Sequence, residues 1–136
     1  MPTLASTDQI AKAALSTTNK IKVGIVGLNT AYLQLWGGDF KKLLRVSDRQ
    51  FVAALPNGRD EWLKENHFNI LVTHHPADWL TEESQRIFRD EIFTSTNFGL
   101  HLSGHLHNEE IERGGFSVAD MQCHFQGISL YSKEPY

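Results

Sequence analysis

Two histidine-bearing segments hold the residue types best suited to chemistry in this 136-residue chain. Val72-Thr73-His74-His75-Pro76 and Ser103-Gly104-His105-Leu106-His107 each follow a short apolar run that reads as a β-strand. Neutral imidazole is the commonest metal ligand, and a strand end holds it rigidly while facing an open cleft. Residues two apart in an extended chain point to the same side, so His105 and His107 can reach one site. Gly104 lets the backbone come close to it. A single His-x-His arises often by chance. Two motifs, each closing an apolar strand, are a far more specific sign of a metal centre.

The other chemically capable residues read as structural. His101 lies inside a strand, His67 at a helix-to-strand junction on the surface, and His124 beside Phe125 as a core-lining residue or minor ligand. Cys123 is the only cysteine, which excludes an internal disulfide and a cysteine-rich metal framework. It reads as a small buried apolar residue. Glu109 and Glu110 read as solvated acids, and Asn29 as the end of its strand.

The elements that must position these groups alternate between strand and helix. Ser6-Thr7-Asp8-Gln9 has the form of a capping box, opening a short helix with an apolar stripe at Ile10, Ala13, Ala14 and Leu15. Residues 21–28 predict a buried strand, 43–46 a short strand, and 68–73 a strand that delivers His74. Ser47-Asp48-Arg49-Gln50 is a second capping box, predicting a helix through Leu55 that Pro56-Asn57-Gly58 stops. Residues 60–65 predict a helical turn, and Thr81 caps a helix to about Phe93. Residues 98–102 predict the next strand, and 116–129 one or two antiparallel strands. The pattern is α/β, with a more antiparallel end.

Composition bounds the rest. Hydrophobic residues at 40% and charged residues at 21% fit one folded domain. A formal charge of −3 argues against a general nucleic-acid surface or an anionic membrane as partner. No apolar run is long enough to span a bilayer, and no signal-peptide pattern opens the chain, so a cytoplasmic location is expected.

Thr73-His74-His75-Pro76 resembles the fourth motif of calcineurin-like metallophosphoesterases, and Gly104-His105-Leu106-His107 resembles their fifth. Residues 26–31, 48–51 and 75–80 are similar to intervening segments of bacterial members, so the resemblance spans about 21–130. It implies a phosphoester hydrolase whose fold is a sandwich of layered sheets flanked by helices. By that resemblance His74 and His105 serve one divalent ion (Mn, Zn or Fe) and His107 the other. His75 would support the ligands from behind or face the substrate. Asp78 and Trp79 read either as bordering the substrate cleft or as a helix-approach turn with an aromatic plug.

The family's Asp-x-His, Gly-Asp-x-x-Asp and Gly-Asn-His-Asp/Glu motifs do not occur here. Gly38-Asp39-Phe40-Lys41-Lys42 places a lysine where the second aspartate belongs, and Asn57-Gly58 reads as a turn. The expectation is a single incomplete domain over 1–136, lacking the N-terminal strands, with Met1 starting inside it. Two divalent ions about 3.5 Å apart repel by roughly 19 kcal/mol at an effective dielectric near 20. Three neutral histidines do not offset that. One ion or none is therefore expected at this centre, with little turnover, and exposed strand edges would favour self-association or complementation by another chain. The rival reading is a non-catalytic remnant that acts as a binding or interaction module.

Overall fold

The structure is a computed structural model that describes residues 20–32, 34–104, 110–114 and 122–127, the segment 110–114 by its backbone. The segments holding the Ser6 capping box, and His105 and His107, lie outside the described residues. Five strands form one sheet in the order β1-β2-β3-β5-β4, where β1 is Val23–Leu28, β2 Phe68–Thr73, β3 Leu100–Ser103, β4 Glu110–Gly114 and β5 Gln122–Gln126. β1, β2, β3 and β5 run parallel, and β4 returns antiparallel to β5. The α/β class and the antiparallel end follow the sequence expectation. β4 itself precedes Gly115, whereas the sequence places strand only after it.

Register orders the sheet into rows. Val26, Leu71, His101 and His124 are successive partners across four strands, and Leu28, Thr73, Ser103 and Gln126 form the next row on the same face. This face changes character along each row, from fully buried Val26 and Leu71 to imidazoles and hydroxyls. The opposite face carries Ile25, Ile70, Leu100 and Cys123, then Val72, Leu102 and Phe125, all half-buried. Parallel sheets are usually apolar on both faces because both are covered.

The first face packs against the helices. α1, Asp48–Ala54, is capped by Ser47, whose hydroxyl accepts from the Gln50 N–H at 3.2 Å. The reciprocal arm of the expected capping box is diverted: the Gln50 amide donates to the Asn29 carbonyl at 2.9 Å, tying α1 to the end of β1. Asn57 and Gly58 both take positive φ, 65° and 89°, making the expected turn, and α2 follows at Arg59–Glu65. The Arg59 guanidinium lies over the Phe51 ring and donates to the Glu91 carbonyl at 2.9 Å. Phe51, Trp62, Leu71, Ile92 and Phe98 fill the core between these layers.

Two expectations are corrected. The strand at 43–46 shrinks to one parallel bridge between Leu44 and Leu80. Lys42 turns the chain at φ 64°, and Ser47 begins the α1 cap, so no room is left for a longer ladder. Ser84 holds the segment instead, its hydroxyl donating to the Val46 carbonyl and accepting from the Val46 N–H, each at 3.2 Å. The helix capped by Thr81 is α3 only over Glu82–Ile87, and continues as a π turn through Phe88–Ile92. An α-helix would set residues five apart at about 140° around its axis. The wider turn brings Phe88 and Phe93 together, their rings 5.8 Å apart.

Gly24 shows how close this packing is. A methyl group there would overlap the Asn66 side-chain amide, lie 2.5 Å from the Asn69 side-chain oxygen Oδ1 and 2.6 Å from the Trp62 ring. Gly24→Ala is expected to cost about 1–3 kcal/mol through overpacking. It would appear as a lower urea midpoint at an unchanged slope; an unshifted midpoint would contradict the packing described.

Candidate functional site

The parallel strands all end on one edge of the sheet, where open α/β sheets place their ligands. β2 ends at Thr73, and His74 follows it, exposed, at that edge. β3 ends at Ser103, and the Gly104 N–H donates to the His74 carbonyl at 3.1 Å. A side chain at Gly104 would meet that carbonyl at van der Waals distance, 3.7 Å. Gly104, the last described residue before His105, therefore lies beside His74. His74 is thus an exposed imidazole at a strand end. Among the described residues, no group of three or more His, Cys, Asp or Glu is gathered in metal-binding range.

His75 is buried in the turn that follows β2. It is 1% exposed, and the Thr30 hydroxyl engages its ring Nδ1 at 2.9 Å and accepts from its backbone N–H at 3.1 Å. The Trp79 indole stacks on the His75 ring at 5.4 Å between centroids, and the His74 ring meets it edge-on at 4.6 Å. Trp79 thus plugs the turn from behind. Its neighbour Asp78 is exposed and pairs with Lys41 at 3.8 Å on the surface, an arrangement worth little to stability. Asp78 also lines the rim of a cavity of about 430 Å³ between the sheet and the π turn. Asn29 ends β1 in an Asx turn, with its side-chain oxygen accepting from the Ala31 N–H at 2.9 Å. His67 is exposed, as the sequence indicates, and Cys123 is free and half-buried.

The floor of that cavity holds a polar chain that sequence reasoning assigned to separate structural residues. The Thr73 hydroxyl donates its single hydrogen to the His75 carbonyl at 2.6 Å. It can then only accept from His101 Nε2, 2.8 Å away, which assigns His101 as the Nε2–H tautomer with a bare Nδ1. His124 Nδ1 donates to that nitrogen at 2.7 Å. In neutral His124, Nε2 accepts from the Ser103 hydroxyl at 3.3 Å. Phe88 and Phe93 close over His101, at 4.9 and 5.4 Å between ring centroids. The alternation of Leu100, His101, Leu102 and Ser103 marks His101 and Ser103 as sharing a face, but only the register brings His124 beside them.

Burial first, and the neighbouring His124 second, hold the His101 imidazole at a pKa of about 3 against an ordinary value of 6.5. The unfolded chain takes up this proton near pH 6.5, whereas the folded protein resists it down to about pH 3. Between those values the unfolded state binds more protons, so stability falls as pH drops through the window and is flat in this group above it. From about pH 6.5 to pH 5, native protein should lose of order 1 kcal/mol per pH unit more than His101→Gln. Urea titrations across that range test it, and equal slopes in the two proteins would refute the assignment. The other end of the site has its own test: Thr30→Val should cost about 1–3 kcal/mol by leaving His75 polar groups without their partner.

No family of known proteins, no curated protein and no solved structure matches this chain.

Proposed function

We propose that this chain supplies the histidine ligands of a metal-dependent phosphoesterase centre of the calcineurin-like type. His74 and His105 would hold one divalent ion, and His107 would contribute to the second. The observation that supports the reading is the hydrogen bond from the Gly104 N–H to the His74 carbonyl, which sets the residue that precedes His105 in sequence beside His74. When bound, such ions polarise a phosphoester and lower the pKa of a bound water. The chain's own part is positional: Thr30 and Trp79 fix His75, and Thr73 fixes the turn that presents His74. The carboxylate ligands of the family are absent from this sequence, so this centre alone would hold one ion and turn over little.

Zinc or manganese titration, with a bis-p-nitrophenyl phosphate assay alongside, tests this. His74→Ala and His105→Ala should each weaken one equivalent of bound ion by about tenfold or more, while hydrolysis by the native chain stays near background. Binding that is unchanged in both variants would overturn the metal centre. Metal binding without turnover, even after a complementing chain is supplied, would favour the non-catalytic binding module.

Among the described residues β1 pairs on one side only, with β2, and the second face of the sheet is apolar and half-buried. A strand edge unpaired among the described residues favours association with another chain. Light scattering is expected to show a species larger than the monomer; a single monomeric peak with a sharp unfolding transition would argue against it.

A further inference from the structure

The cavity of about 430 Å³ between the sheet and the π turn falls within the size range of small-molecule sites, about 300–1,000 Å³. Its walls differ from the apolar layer beside it. β5 turns Gln122, His124 and Gln126 into the lining, alternate residues on one face of the strand. On β1 and β2 the same face packs Val26 and Leu71 into the core. Burying polar side chains where apolar ones would pack adds nothing to stability. The π turn over Phe88–Ile92 is a rare conformation found most often at functional sites. It is closed by the Phe93 N–H, which donates to the Phe88 carbonyl at 2.6 Å, and both phenyl rings line the cavity.

Gln122 supplies an oriented acceptor. Its Nε2 lies 3.2 Å from the Phe93 carbonyl and 3.2 Å from the Phe98 carbonyl. Carbonyls only accept, so the atom between them is the nitrogen, and both amide hydrogens are committed. Oε1 is left to accept from a ligand, with the Phe93 bond holding the amide next to the phenyl wall. The interior lining is otherwise imidazole, amide and phenyl, and burial keeps His101 neutral. The charged lining residues stand exposed at the rim, where Arg89 pairs with Asp90 at 2.8 Å and Asp78 with Lys41 at 3.8 Å. A charged group drawn inside would lose its water without gaining a counter-ion. A flat uncharged ring would instead lay its face on phenyl rings and its edge on an amide oxygen.

We propose that this cavity binds a planar, uncharged heteroaromatic ring with an N–H donor on its edge, of the nucleobase class. The ring lies against Phe88 and Phe93, and its N–H donates to Gln122 Oε1. Free bases, nucleosides and nucleotides all carry such a ring, and a nucleotide would keep its phosphate outside, at the rim where Arg89 lies. The site uses none of His74, His105 and His107, so it stands independently of the metal centre proposed above.

The test titrates the full chain with adenosine, guanosine, cytidine and uridine, followed by ¹H–¹⁵N spectra. At least one nucleoside should bind saturably and shift the Gln122 side-chain amide and the Phe88 and Phe93 backbone amides. Phe93→Leu keeps an apolar side chain but removes the ring, and should weaken that binding by about fivefold or more. Methylating the N–H groups of the bound base should weaken it by about threefold or more. This second measurement leaves the protein untouched, and so decides the matter should Phe93→Leu fail to fold. The affinity should hold in His74→Ala, which separates this site from the metal centre. The 5′-monophosphate of the same nucleoside distinguishes the sources of the ring. Equal affinity would show that the base alone is read, and a tighter nucleotide weakened by Arg89→Ala would add a phosphate contact at the rim. No saturable binding of any of the four, shifts confined to other residues, or an affinity indifferent to both Phe93→Leu and base methylation would each overturn the proposal.

Discussion

Parallel pairing is the constraint on which the rest of this structure depends. When β1, β2, β3 and β5 run the same way, every strand delivers its C-terminal residue to one edge. That edge is where His74 emerges and where Gly104 meets its carbonyl. The same pairing fixes which residues share a row, because parallel register sets partner beside partner on one face. The helices then have to cover an apolar region at Val26 and Leu71 and a polar one at His101 and His124. The π turn serves the second region by bringing two phenyl rings over one imidazole.

The polar groups of the Thr73, His101, Ser103 and His124 cluster are satisfied by one another, which is why it can exist inside this layer. A buried hydroxyl or imidazole without a partner costs more than a typical hydrogen bond contributes. The chain from Ser103 through His124, His101 and Thr73 to the His75 carbonyl gives each group its partner in a forced order. Thr73 is the pivotal member. Its one hydrogen fixes the tautomer of His101 on one side and the geometry of the His74–His75 turn on the other.

Much of this was legible in the sequence. Apolar runs gave β1, β2 and β3, serine and threonine caps gave the starts of α1 and α3, and Asn57-Gly58 gave the turn before α2. His74 stands where the strand-end reading put it. What could not be read was non-local. The segment at 43–46 has strand composition, but its pairing depends on the chain near Leu80. The π turn arises because Phe88 and Phe93 both pack over His101, which helical periodicity alone does not foresee. His101 and His124 each look like an isolated core histidine until the sheet sets them in register. His75 shows the same limit: its sequence neighbour is a ligand candidate, while its own burial is decided by Thr30 and Trp79.

The parallel register also says something about the order in which the chain can assemble. Contacts between residues distant in sequence must overcome loop closure before they are rewarded, and parallel pairs are always distant. β4 and β5, antiparallel and close in sequence, are the only neighbouring strands among those described that can meet early. Val23 must wait for Phe68, and Ile70 for Leu100. Until those pairs close, the apolar strands β1, β2 and β3 stand open together, and the edge that presents His74 does not yet exist. A chain of this topology therefore acquires its site late, and is at its most adhesive just before it does.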